Sequence, residues 1–592
     1  MNDHKNMILA IALSALVLIG WTVIADTWFP PANPPVTKIE DGREVAVERP
    51  TVTPVAETPR VTRARETVLA ESPRVRIETP RLAGSINLAG ARIDDLVLTG
   101  EREGIGRDSP PVRLFSPSGS PGAYFGTFGW TGDGMRLPDA ETVWRASGGT
   151  LTPETPVTLS WDNGEGQLFE IRLSVDAGYL FTADQRVVNR GGAPVVARPF
   201  ALVSRVGVSA DPDWWTMHVG PVGVFNGVAD YDNNWTDVAE AGARTFSTRG
   251  GWLGFTDKYW LAAIVPDQAR TVEAAFRHNG GTDSYQADFT IAPTVVAPGR
   301  GLATTTRLFA GAKEEGLLAT YTDELGTRLD KAIDWGWFEW FMQPIFKLLL
   351  WLFAYLGNFG LAIISLTVIV RLLLYPIAQK QFASMAAMRV VQPKMKAIQE
   401  RYKDDRPKMQ EEMMKLYREE KVNPLAGCLP IFLQIPIFYA LYKVLMLSVE
   451  MRHEPFVLWI RDLSAPDPLT PVNLFGFLPF TPPAFLIIGI LPILVGVTMW
   501  LQMRLNPAPM DPIQKQVFAI MPWVLIVIMA PFAAGLQLYW VTNNLLSIGQ
   551  QKLLYMRHPQ LKAQAGAVAT ATAPPSPPAD PAPKTKPRRP RK

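Results

Sequence analysis

A single cysteine, Cys428, in 592 residues leaves no intrachain disulfide to form, so any exported part of this chain must stand on its core alone. Motifs that carry chemistry are as scarce. There is no Gly-Lys dipeptide, which excludes a P-loop, and no G-x-S-x-G elbow, H-E-x-x-H or cysteine ligand set. The histidines number five, and two of them, His218 and His278, lie scattered among many carboxylates in the middle of the chain. A His–carboxylate pair is possible there, but single scattered histidines are more often surface residues. Coupling to ATP, hydrolytic catalysis, a cofactor and a metal are therefore not expected. Charge is missing too, in long local runs. Met7 to Ala25 is nineteen residues without a charge, and thirty-six uncharged residues separate Lys515 from Lys552. Apolar residues gather near the N-terminus and after residue 335, with a polar, Gly- and Pro-punctuated block between. This distribution describes a membrane protein that carries a large soluble domain.

In chain order, residues 1–25 are expected to form a transmembrane signal anchor. Its uncharged run exceeds a signal-peptide core of about 7–15 residues, although Val-Ile-Ala before Asp26 also fits a cleavage site. Lys5 and the amino terminus place its start in the cytoplasm and residue 26 outside. Residues 26–74, rich in Pro, Thr, Val, Glu and Arg without periodicity, read as a mostly disordered periplasmic linker. The period then becomes two. Phe169, Ile171, Leu173 and Val175 alternate with Glu170, Arg172 and Ser174, and Tyr285, Ala287, Phe289 and Ile291 repeat the pattern. Half-buried strands separated by turn residues predict an all-β sandwich over 75–330, its last part, Glu314 to Asp330, a helix leading back to the membrane. Trp214 and Trp215 either line a groove or pack in its core.

Residues 331–356 set Glu339, Gln343 and Lys347 at i, i+4 and i+8 among Trp and Phe, the pattern of an amphipathic helix in the headgroup plane. A span is the alternative, since Leu348 to Val370 is uncharged, but Gly357-Asn358-Phe359-Gly360 supplies a break. Transmembrane spans are expected at 357–376, 423–449, 484–503, 516–533 and 534–553. The last two divide a run that as one helix would reach ~54 Å against a core of ~30 Å, with Pro531 to Gly535 as the break. Between the first two of these spans, 377–422 reads as a cytoplasmic helical hairpin. Pro376 to Gly427 holds eleven Lys/Arg against seven Asp/Glu, and Lys403 to Pro407 makes the turn. Its methionines, Met395 and Met413 among them, suit either a promiscuous apolar surface or the filling of a thin interface. A periplasmic loop, 450–483, and a basic cytoplasmic tail, 554–592, complete the chain, with both termini inside. The tail ends KTKPRRPRK and either binds ribosomal RNA through charge or only enforces orientation.

Polarity inside the apolar spans is the remaining anomaly. Arg371 lies in LAIISLTVIVRLLLY, where a charge at bilayer depth costs roughly 2.5–3.5 kcal/mol. Pro376 should end that helix, leaving Arg371 ~7 Å from the end at 1.5 Å per residue, within reach of water for its long stem. An anchoring arginine and a working charge both fit. Thr367 shares its face at i, i+4; Gln434 sits between Pro430 and Pro436; and in GLQLYWVTNNLLSIGQQ, Gln537, Trp540 or Val541, and Asn544 follow one face. Such residues are either interhelical glue, worth ~0.6 kcal/mol each, or the lining of a hydrated cavity. A guanidinium among amides on three helices favours the cavity. Lys443, near the outer end of its span, is expected to snorkel.

The stretch from Arg371 to Tyr442, and NPLAGCLPIFLQIPIF above all, resembles the core of the YidC/Oxa/Alb membrane protein insertases. The likeness spans about 335–558, and the anchor followed by a periplasmic β-domain is similar to the Gram-negative YidC arrangement, a match in position and character only. It implies a polytopic α-helical membrane protein with a five-helix core, an N-terminal anchor helix, a cytosolic hairpin and a β-supersandwich outside. The implied activity is that of a non-enzymatic insertase and chaperone of the inner membrane. It would insert nascent membrane proteins through a hydrophilic groove open to cytosol and lipid, alone or with the Sec translocon. The groove residues carried over are Arg371, Thr367, Gln434, Trp540 and Asn544, and the hydrophobic slide would include Ile435 and Phe438. Trp540 stands where many relatives have tyrosine. The implied partners are nascent membrane proteins, the Sec translocon, the lipid bilayer and, through tail and hairpin, the ribosome. A small-solute transporter, for which no inverted repeat is found, and a membrane-anchored carbohydrate-active periplasmic enzyme are the rival readings.

Overall fold

The computed structural model describes residues 37–40, 43–46, 62–106, 108–211, 217–420, 429–476, 478, 488–505 and 512–557. The expected anchor, Trp214 and Trp215, Cys428 and the tail beyond Arg557 lie outside the described residues. Two short strands, Thr37–Glu40 and Arg43–Ala46, pair antiparallel within the stretch read as a linker.

Two units make up the rest. The first, Met1–Trp340 with Met446–Arg452, is built from a nine-stranded and an eleven-stranded sheet. Leu180–Asn189 lies between Gln167–Val175 and Gly301–Ala312 in the smaller sheet. In the larger, Val195–Val206 lies between Tyr124–Asp133 and Ser284–Ile291. Alternation in sequence becomes alternation in burial: Phe169, Ile171 and Leu173 are fully buried while Arg172 is exposed. Rings from the two sheets meet, Trp130 edge to face with Phe169 at 5.2 Å and Phe225 stacked on Phe246 at 4.0 Å. Each buried phenylalanine contributes about 1.5–3 kcal/mol, so this layer of rings supplies the stability that no disulfide can. The strand Ser284–Ile291 departs from simple alternation, because Gln286, Asp288 and Thr290 are buried along with their apolar neighbours. The Asp288 carboxylate is kept there by two donors, Arg277 Nε at 2.9 Å and Gln286 Nε2 at 2.8 Å.

A helix, α1 (Glu315–Leu325), closes this unit without a side-chain cap of its own. The cap comes from far along the chain: Glu450 Oε1 accepts the Glu315 N–H at 3.0 Å, meeting one of the orphan donors of the first turn. Arg452 fixes the same segment, donating to the Arg102 carbonyl at 2.6 Å with its guanidinium 5.3 Å from the Trp260 ring centroid.

The second unit, Phe341–Leu445 with His453–Lys592, is helical. Its elements are α2 (Glu339–Leu356), α3 (Phe359–Leu373), α4 (Tyr375–Arg401), α5 (Arg406–Glu419), α6 (Leu429–Leu447), α7 (Ile490–Leu505), α8 (Pro512–Met529) and α9 (Ala534–Arg557). On α2 one face buries Met342, Phe346, Leu349 and Leu352, while Trp340, Trp351 and Tyr355 remain exposed. Asn358 caps α3 by accepting the Leu361 N–H at 3.0 Å. Pro376 falls in the first turn of α4, where its missing N–H leaves no gap. Between α4 and α5 the apolar contacts are Val391, Met395 and Leu416, flanked by Ile398, Met413 and Tyr417; Met414 faces out. Met395 and Met413 thus fill the interface between the two helices. Among the described residues no helix is long and apolar enough to cross a membrane. The 15 residues of α3 reach only ~22 Å, against a hydrocarbon core of ~30 Å. Lys443 corrects an expectation: it is buried, 2% exposed, instead of reaching outward.

Candidate functional site

Arg371 occupies the last turn of α3, and its guanidinium turns toward α9. Nε donates to Asn543 Oδ1 at 2.8 Å, and Nη2 donates to the Asn543 carbonyl at 3.2 Å and to the Ser547 hydroxyl. Ser547 in turn donates to the Asn543 carbonyl at 2.7 Å. A hydrogen bond to a charged group contributes about 1.5–3 kcal/mol, so this grip is strong enough to fix the arginine in one pose. Tyr539, one turn before Asn543, accepts a hydrogen bond from Gln434 Nε2 on α6. One face of α9 thus carries a polar chain, Tyr539, Asn543 and Ser547, bonded to Gln434 of α6 at one end and to Arg371 of α3 at the other.

Beside this chain the surface turns apolar. Phe438, one turn on from Gln434, meets Trp540 edge to face at 4.9 Å, and Tyr442 stacks beyond it at 6.4 Å. Ile435 is 56% exposed. Arg371, Gln434, Trp540, Phe438 and Ile435 are thus carried by three helices joined by direct contacts.

Thr367 and Asn544 behave differently. Thr367 is buried and donates to the Ile363 carbonyl of its own helix at 2.7 Å. Asn544 is buried and donates to Thr498 on α7 at 3.0 Å. Gln537 donates to the carbonyls of Met529 and Phe532 at 2.8 and 2.7 Å, which ties the start of α9 to the end of α8. The face of α9 that holds Arg371 runs Tyr539, Asn543, Ser547, at i, i+4 and i+8. It is turned from the Gln537–Asn544 face by one residue, about 100° of helix. The adjacent pair Asn543-Asn544 hid this, since either asparagine makes a polar stripe. Ser547 lies i+4 from Asn543 and i+3 from Asn544, so it extends either stripe and does not choose between them. Among the described residues no cluster of side chains is arranged to hold a metal ion.

Residues 74–348 match the YidC periplasmic domain, and 351–561 match the 60Kd inner membrane protein family. The membrane protein insertase YidC of Zymomonas mobilis is 47% identical over 563 residues, covering 94% of this chain and 96% of the relative. The chain belongs to the YidC family of membrane protein insertases. Its counterparts in Bradyrhizobium diazoefficiens and Nitrobacter hamburgensis are 43% and 44% identical, each again over 94% of this chain. It is thus a membrane protein insertase of the inner membrane with a periplasmic β-domain; its substrates are nascent membrane proteins, and it is not an enzyme. The transporter and enzyme readings are set aside.

Proposed function

We propose that the polar chain bonded to Arg371 is the floor of a groove, open to cytosol and lipid, that receives the polar tail of an incoming membrane protein. Arg371 attracts acidic residues of that tail; Gln434 and Tyr539 offer hydrogen bonds above it; and the apolar segment leaves along Ile435, Phe438 and Trp540 into lipid. Asn544 ties α9 to α7, and Thr367 packs within α3 behind Arg371. In this reading the helical segments cross as the spans 357–376, 423–449, 484–503, 516–533 and 534–553, beside an interfacial helix at 331–356 and with the hairpin 377–422 and both termini in the cytoplasm. A short α3 suits that role, because a shallow apolar path lowers the cost of moving a polar tail across. The Sec translocon and the ribosome, the latter through the hairpin and the basic tail, are the proposed partners.

The observation that carries the proposal is the grip of Asn543 and Ser547 on Arg371. A snorkelling anchor would extend its guanidinium to water, whereas this one is drawn inward between helices. A photo-crosslinker placed at Gln434 tests it. Nascent membrane chains stalled during insertion should be captured there, and capture that is absent at Gln434 yet strong at the α7 position Val497 would refute the groove's placement.

A further inference from the structure

The outer face of the eleven-stranded sheet holds a cavity of about 100 Å³. Four of its residues stand in cross-strand register: Arg277 opposite Gln286, Gln286 opposite Ser204, and Ser204 opposite Phe125. At ~4.8 Å per strand this row is ~14 Å long. Residues of the other parity, such as Phe276, Val203 and Ala287, are fully buried in the core between the sheets. The row belongs to the face away from that core. Such a face is ordinarily bathed in solvent, but here the segment from Pro138 to Trp144 also lines the cavity, and Gln286 is only 9% exposed.

The chemistry of the row is mixed by construction. Asp288 engages Arg277 through Nε and Gln286 through Nε2, which leaves the Nη edge of the guanidinium as donors beside Gln286 Oε1 as an acceptor. The Ser204 hydroxyl adds a group of both senses. Phe125 supplies an apolar ring, with the Arg92 guanidinium carbon 5.4 Å from its centroid. The charge of Arg277 is already neutralised by Asp288, and Arg92 and Asp139 bring one further charge of each sign to the lining. An anion would therefore gain little here. A ring bearing several hydroxyls matches better, because each hydroxyl both donates and accepts while the C–H face rests on an aromatic ring. We propose that this cavity binds a neutral, hydroxyl-rich ring of monosaccharide size.

The test uses the full chain in lipid nanodiscs, with methyl glucoside, methyl galactoside and N-acetylglucosamine as probes in saturation-transfer NMR. Inorganic phosphate and a short acidic peptide serve as comparison ligands. At least one sugar should bind with a dissociation constant on the order of millimolar, the range for about a dozen heavy atoms at ordinary ligand efficiency. Ser204→Ala should weaken it about fivefold, the loss of one hydrogen bond, with the thermal midpoint unchanged. Ser204→Phe, which fills the cavity, should abolish it. Absence of transfer to every sugar, transfer that survives Ser204→Phe, or phosphate or peptide binding lost on Ser204→Phe in place of sugar binding would each overturn the proposal.

Discussion

Lys313 offers a sharp test of the energetics of the β-domain. It follows the strand Gly301–Ala312, is 3% exposed, and donates from Nζ to Thr256 Oγ1 at 2.9 Å. Burial pushes its ammonium down from 10.5 to about 8, against the attraction of Asp257, Asp211 and Asp334. At 1.36 kcal/mol per pH unit, the difference between 10.5 and about 8 is a cost on the order of 3 kcal/mol for the charged form. The sign follows from proton binding. Below about pH 8 the folded and unfolded chains both hold the proton and the cost is present in full. Between about 8 and 10.5 only the unfolded chain holds it, so this residue makes stability rise with pH across that window. Lys313→Met keeps most of the volume and removes the charge, and Asp257 is not orphaned, because Arg205 pairs with it at 2.9 Å. Subtracting ~1 kcal/mol for the lost hydrogen bond, the variant should be about 2 kcal/mol more stable at pH 7. Urea unfolding followed by tryptophan fluorescence, wild type against variant at several pH values, measures this. The gap should shrink above about pH 8 and reverse, to about 1 kcal/mol in favour of the wild type, as pH reaches 10.5. A gap that ignores pH, or a variant less stable at pH 7, would refute the reasoning.

Two further outcomes follow from the helices. Asn543→Ala removes an acceptor from a half-buried guanidinium, at about 1.5–3 kcal/mol, and should slow insertion of a reporter into proteoliposomes by at least tenfold. Asn544→Ala breaks only the link to Thr498, on the order of 0.6 kcal/mol, and should stay within about threefold of wild type in the same assay. In the β-domain, Glu450→Ala should lower stability by about 1 kcal/mol through loss of the α1 cap, read from the urea midpoint. Glu450→Gln keeps an acceptor oxygen and should recover most of that loss.

Much of this architecture was legible in the sequence because burial leaves a period. Phe169, Ile171 and Leu173 announce a strand with one face in a core, and that face is where they lie. The outer face of Ser284–Ile291 was not legible: Gln286 and Asp288 look solvated in sequence, and only the fold brings the Pro138–Trp144 segment to their cavity. Lys443 was misread for a related reason, since its expected escape to the surface assumed a helix end without neighbours. The α1 cap was invisible because 135 residues separate Glu450 from Glu315. Arg371 was conspicuous at once, as a charge in an apolar run must be. Its partners were not, because Asn543 and Asn544 are adjacent and only a one-residue rotation of α9 selects between them.

The central claim is that the charge of Arg371 draws in the acidic tail of a substrate, and one measurement addresses it directly. Insertion rates are compared in proteoliposomes for two reporters alike except for a translocated tail with aspartates or with asparagines, using wild type and Arg371→Ala. A charge pair ~4 Å apart in a partly hydrated site is worth about 1–4 kcal/mol, so the variant should slow the acidic tail at least fivefold more than the neutral one. Equal slowing of both reporters, or none, would contradict the account.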